Sequence, residues 1–211
     1  MKRIQLSVVG ACAALMWASQ VLSQSTDPQP PVVEKITAED FGALPFMGSP
    51  RISPNGQLLA ARASTAGGTA LAILALGADK SATTSVPMPE KRDLLWYRWA
   101  GNDRILFSIG RSERVMGEDY YVTRLLMMDL KTSQANFIGK KTEGFSGDDV
   151  IYVDPEGRSL LLSIQESVFD YPAVFNVDLD TLKMKKVVRP RDNVWEWFAD
   201  DKGTVRGGIG V

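Results

Sequence analysis

The stretch that comes nearest to catalytic chemistry is Gly144-Phe145-Ser146-Gly147-Asp148. It approaches the Gly-x-Ser-x-Gly elbow, which holds a serine nucleophile on a sharp turn between a strand and a helix. Its last position is aspartate, however, and it leads into a strand-like run at 150–154. A serine or cysteine nucleophile also needs a base to take its proton, and histidine fills that role in the Ser-His-Asp and Cys-His arrangements. This sequence has no histidine, and its one cysteine, Cys12, lies in an apolar N-terminal stretch. The usual zinc ligands are therefore missing beyond that stretch, and no disulfide is expected. Carboxylates could still hold a hard cation, but Asp178-Leu179-Asp180 lacks the third ligand of an Asp-x-Asp-x-Asp-Gly loop. Gly207-Gly208-Ile209-Gly210 reads as strand glycines, with no helix after it to make a dinucleotide loop. No catalytic, cofactor-binding or metal-ligating residue is assigned, no cofactor is expected, and no enzymatic activity is expected of this chain by itself.

Composition narrows the partners. Of 211 residues, 45% are hydrophobic and 23% charged, enough for a packed core. The formal charge is −1, and losing Lys2 and Arg3 with a leader would make it −3. A nucleic-acid footprint needs a clustered basic excess, which is absent.

The elements that would position any site announce themselves through turns. Ser53-Pro54-Asn55-Gly56 stands between two apolar runs; proline presets a turn and Asn-Gly tolerates left-handed backbone. Its echoes are Gly101-Asn102-Asp103-Arg104, Asp154-Pro155-Glu156-Gly157 and Asp200-Asp201-Lys202-Gly203. From Gly56 to Asp103, to Gly157, to Gly203 the steps are 47, 54 and 46 residues. A period of about 40 to 50 residues made of strands and turns is the signature of propeller blades, each a four-stranded antiparallel meander. The expected fold is all-β: a partial β-propeller of about three blades plus the start of a fourth. Strands are predicted at 46–52, 57–63, 70–76 and 83–88; at 94–100, 105–109, 122–130 and 135–139; at 150–154, 159–165, 173–179 and 184–188; and at 194–199 and 205–211. A polar loop is predicted at 110–119. Asp129 and Asp178 recur 49 residues apart at strand ends, where aspartate initiates turns. Trp96-Tyr97-Arg98-Trp99 and Trp195-Glu196-Trp197-Phe198 fall on first strands and are expected to fill space between neighbouring blades, the alternative being a binding surface near a propeller axis. Tyr120-Tyr121 and Phe169-Asp170-Tyr171-Pro172 are placed on connections, where contact with a partner is more common.

Residues 1–23 read as a secretory signal peptide, with Lys2 and Arg3 before an apolar run and Val21-Leu22-Ser23 at the cleavage site. An uncleaved anchor is the alternative, weakened by Gln5, Ser7, Ser19 and Gln20. Residues 24–40 form a Pro-rich linker and N-terminal arm, with either a short helical turn capped by Thr37 or an unstructured tail at 36–41. The propeller domain is assigned to 41–211. The mature chain is expected in the periplasm or secreted, with no stable membrane span after leader cleavage.

Glu39-Asp40-Phe41, Leu44-Pro45 and Ser49-Pro50-Arg51-Ile52-Ser53-Pro54-Asn55-Gly56 together resemble the mature start of exported bacterial serine peptidases of the prolyl oligopeptidase family, the acylaminoacyl-peptidase or dipeptidyl-aminopeptidase-like members. The Ser-Pro-Asp/Asn-Gly turn is shared with periplasmic propellers of the TolB type. The resemblance covers 36–211 and implies a propeller that filters peptides entering an α/β-hydrolase domain. None of that family's catalytic residues has a counterpart here, so none is carried over. The function expected is a substrate-gating segment acting on peptide substrates of a full-length parent. The alternatives are a TolB-like binding propeller that meets a protein through loops such as 110–119, or an inactive truncated product.

Overall fold

Ile105-Leu106-Phe107-Ser108-Ile109 and Leu160-Leu161-Leu162-Ser163-Ile164 are too short for helices and almost wholly apolar, the pattern of strands buried on both faces. In the computed structural model, which describes residues 46–65, 67–77, 84–139 and 144–210, they are such strands. The architecture is all-β, in four antiparallel sheets. The first comprises β1 (Met47–Ile52), β2 (Leu58–Thr65), β3 (Gly68–Ala75) and β4 (Thr84–Pro87). The second comprises β5 (Asp93–Ala100), β6 (Arg104–Val115), β7 (Glu118–Asp129) and β8 (Gln134–Ile138). The third comprises β9 (Asp149–Val153), β10 (Ser159–Ile164), β11 (Ala173–Asp178) and β12 (Met184–Val188). A two-stranded sheet of β13 (Val194–Ala199) and β14 (Val205–Gly210) follows. In each, strands are neighbours in chain order, and no sheet closes on itself. Among the described residues there is no helix, hence none long and apolar enough to cross a membrane. The leader at 1–23, the arm at 24–40 and the helical turn at 36–41 lie outside the described residues.

Strands lie where they were expected, with one correction. Residues 110–119 are not a loop: β6 and β7 pair without interruption from Arg104–Asp129 to Val115–Glu118. Only Met116 and Gly117 turn the chain, at φ 53° and 90°, the left-handed pair that a two-residue hairpin loop takes. The segment is polar because this ribbon runs past the ends of β5 and β8 and is wet on both sides. Tyr120 and Tyr121 accordingly sit on β7 and not on a connection.

Strand alternation sorts the core into layers. Ile105, Phe107 and Ile109 of β6 pack with Ala60, Leu71 and Ile73 of the first sheet. Leu106 faces the other way, with Leu125 and Met127, against Leu160, Leu162, Phe175 and Val177 of the third sheet. Leu161 and Val174, on the third sheet's opposite face, meet Trp197 of β13. Each pair of successive sheets therefore shares one apolar layer.

The repeated turns have a common build. Gly56, Gly157 and Gly203 donate to the carbonyls of Ser53, Asp154 and Asp200 at 2.8, 2.8 and 3.1 Å. Their φ values are 73°, 71° and 73°, left-handed backbone that glycine adopts without steric cost. The second turn differs, with its glycine first: Gly101 (φ 67°) follows Ala100 directly. Gly101 and Gly157 are also packed on each other. A Cβ on Gly157 would stand 2.3 Å from the Ala100 carbonyl oxygen, and one on Gly101 2.7 Å from that of Glu156.

Candidate functional site

Side chains of β5 alternate between two neighbours. Tyr97 and Trp99 face back toward the first sheet. The Tyr97 hydroxyl meets the carbonyls of Gly48 (3.1 Å) and Ser49 and accepts from the Arg62 N–H at 3.0 Å. Trp99 Nε1 donates to the Arg51 carbonyl at 2.9 Å. Trp96 and Arg98 face forward. The Arg98 guanidinium lies 5.3 Å over the Trp96 ring and donates to the Val150 carbonyl at 2.7 Å.

Asp148, just before β9, is where the second sheet grips the third. Its Oδ2 accepts from Trp96 Nε1 at 2.9 Å and from Ser108 Oγ at 2.6 Å, and its Oδ1 accepts from the Thr123 hydroxyl. Three strands of one sheet thus each donate to one carboxylate of the next, which is how a half-buried charge is tolerated.

Asp149 has no such cradle. It pairs across the strands with Ser163 of β10, so the two side chains share a face. On one side lies a recess of about 490 Å³ lined by Arg51, Trp96, Arg98 and Asp148. On the other lies one of about 560 Å³ lined by Phe145, Ser163, Ile164, Trp195 and Glu196. Desolvation raises the Asp149 carboxyl above its ordinary range, with the charges of Asp148 and Glu196 adding to it. The Ser163 hydroxyl and the Arg98 cation pull the other way. Asp149 keeps open surface, so water screens part of these effects. Ser163 Oγ is close enough to act on Asp149 yet lacks hydrogen-bond geometry to any partner, in a residue only 2% exposed. Desolvation lowers Arg98 from the ordinary arginine value, but arginine stays charged in proteins. Chemically the arrangement can bind positive charge. It contains no nucleophile paired with a base, and among the described residues no three metal-ligating side chains gather.

No family model and no curated relative matches the chain. A solved structure of an uncharacterized protein from Listeria monocytogenes EGD-e is similar at 13% identity with a TM-score of 0.42, over 72% of this chain and 42% of that one. This chain therefore spans less than half the length of the chain it matches.

Residues singled out in the sequence fall in distinct places. Ser146 is exposed, in a segment tied along β7: the Thr123 N–H donates to the Phe145 carbonyl at 2.9 Å, and the Gly147 N–H donates to Thr123 Oγ1 at 3.1 Å. This leads into a strand and makes no elbow. Asp129 and Asp178 are turn residues. Asp129 Oδ1 accepts from the N–H groups of Lys131 and Thr132 at 2.9 and 3.1 Å, and Asp178 Oδ1 from those of Asp180 and Thr181 at 3.0 and 2.8 Å. The hydrogen bond from the Thr181 N–H, foremost, holds the Asp178 carboxyl below its ordinary range. The second aromatic cluster divides: Trp197 is buried and donates to the Pro172 carbonyl at 2.9 Å, whereas Trp195 stands edge-on to Tyr171 at 4.9 Å and lines the larger recess. Sequence reasoning named Asp148 and Glu196 only as members of a near-elbow and an aromatic cluster, and did not single out Asp149 or Ser163. One signal was present: Ser108 and Ser163 interrupt two otherwise apolar runs at the same place, 55 residues apart.

Proposed function

We propose that residues 46–210 are successive blades of a β-propeller, and that this propeller is the non-catalytic, peptide-admitting part of an exported serine peptidase of the prolyl oligopeptidase type. One observation carries the propeller half: the same inner elements of successive sheets are bonded to each other at one repeat's distance. Asn55 N–H donates to Asn102 Oδ1 across 47 positions, and Trp99 to the Arg51 carbonyl across 48. Trp96 reaches Asp148 and Arg98 reaches Val150 across 52, and Arg104 donates to the Gly157 carbonyl across 53. First strands gathered side by side, with fourth strands outside, are what blades around an axis require. The peptidase half rests on the ordered motifs from Glu39 to Gly56, and export rests on the leader-like residues 1–23. The test is to read the coding sequence through and beyond the codon for Val211 and to assay the full product on peptides. The expected result is an in-frame Gly-x-Ser-x-Gly elbow with a later histidine, and peptide hydrolysis abolished when the elbow serine becomes alanine. A product without an elbow, or with one but no peptide hydrolysis, overturns the peptidase half.

A further inference from the structure

The two junctions flanking the third sheet can be compared directly. At the junction of the second and third sheets, Ser108 on β6 points forward and finds Asp148, which is also held by Trp96 and Thr123. Ser163 holds the matching place on β10, but at its junction with the fourth sheet only Asp149 comes near it, and its buried hydroxyl has no partner in hydrogen-bond geometry. Beside it stand the Asp149 carboxylate, its cross-strand neighbour, and Glu196, whose side chain makes no hydrogen bond or ion pair among the described residues. The recess they line is about 560 Å³, holds two carboxylates, and has no lysine or arginine in its wall. Its remaining surface is largely apolar and aromatic, Phe145 and Trp195 included. Phe145 is held by parallel stacking on Tyr120, with ring centroids 4.2 Å apart, and Trp195 by its edge contact with Tyr171.

From these observations we infer that the recess between the third and fourth sheets binds a long cationic side chain, an alkylguanidinium or alkylammonium on an aliphatic stem. The charged head would donate to the Asp149 carboxylate and to Ser163 Oγ, completing the junction as Asp148 completes the one before it. Glu196 adds attraction at long range, while Phe145 and Trp195 cover the stem and offer their rings to the cation. A bare ammonium would leave most of the volume unfilled, which is why a side-chain cation is assigned and not a chain's α-ammonium. The inference concerns this chain alone and stands whether or not a peptidase domain accompanies it.

Isothermal titration calorimetry of the full chain against N-acetyl-arginine amide tests this. The neutral isostere N-acetyl-citrulline amide and the small ammonium glycinamide serve as comparisons. Saturable binding of the arginine probe is expected, at least about tenfold tighter than the citrulline probe, since a charge-assisted bond is exchanged for a neutral one. Asp149→Asn is expected to weaken it about tenfold and Ser163→Ala several-fold, while both variants melt like the unmodified chain. Asp129→Asn, far from the recess, is expected to leave affinity unchanged. No binding by the folded chain, equal binding of arginine and citrulline probes, or binding indifferent to both Asp149→Asn and Ser163→Ala overturns the assignment. Preference for glycinamide overturns the choice of a side-chain cation. If Ser163→Ala melts early, Asp149→Asn decides the matter, because that side chain is exposed and its replacement nearly isosteric.

Discussion

Gly157 is where the repeat becomes a constraint on one atom. Its left-handed backbone alone disfavours a side chain, and the Ala100 carbonyl oxygen fills the space a Cβ would need. Gly117 has φ 90° as well, but a Cβ there would meet nothing within 4 Å. The pair separates backbone strain from packing. Gly117→Ala is expected to cost about 1 kcal/mol, and Gly157→Ala about 2 kcal/mol more, because the contact is with backbone and cannot be relieved by a rotamer change. Urea denaturation of the two variants measures the difference directly. Equal losses would mean that the turns of the second and third sheets do not bear on each other in solution.

Among the elements, β5 carries the most cross-sheet polar contacts, and Tyr97 anchors it backward. Its hydroxyl serves three backbone groups, the Gly48 and Ser49 carbonyls and the Arg62 N–H, in a side chain 7% exposed. Tyr97→Phe leaves those groups without that partner and is expected to cost about 1–3 kcal/mol. Tyr171→Phe, whose exposed hydroxyl bonds only Asn193, should stay within about 0.5 kcal/mol. A Tyr97→Phe loss no larger than that of Tyr171→Phe, measured by thermal melting, would refute the anchoring role. Elements were the most legible feature of the sequence. Short apolar runs separated by Asn-Gly, Pro-Glu-Gly and Lys-Gly turns leave few choices for strand position, and neighbours in sequence became neighbours in each sheet. The ribbon at 110–119 was misread because its polarity was taken for lack of pairing, when water on both faces of a paired ribbon produces the same composition. The recess left only one trace in the sequence, the matched serines Ser108 and Ser163. Asp148 meets Ser108 across 40 positions, and no local pattern distinguishes a carboxylate so held from the more exposed one beside it.

At the scale of the molecule, layered packing leaves the outer faces of the first and fourth sheets without a neighbouring sheet among the described residues, and every sheet has two open edges. The fourth sheet shows this most plainly. Within it β14 pairs only with β13, so its outer edge presents unpaired N–H and C=O groups, and Phe198 and Ile209 are 46% and 58% exposed. Natural sheets blunt such an edge with charge, proline or a bulge; β14 has a charge and a register shift only at its start, around Arg206, and then holds three glycines and one isoleucine. The uncharged stretch from Gly207 to Gly210 is a template for another strand, and the expected outcome is self-association of the isolated chain that grows with concentration. Ile209→Lys should reduce it. Position 209 lies directly opposite Glu196, so the new lysine gains a cross-strand carboxylate and the β13–β14 pair is kept while the edge becomes charged. Sedimentation velocity over a concentration series reads both effects. A chain that stays monomeric throughout would show that the β14 edge is covered in solution, and association unchanged in Ile209→Lys would move the contact to the first sheet, where Phe46, just before β1, and Ile52, at its end, are also exposed.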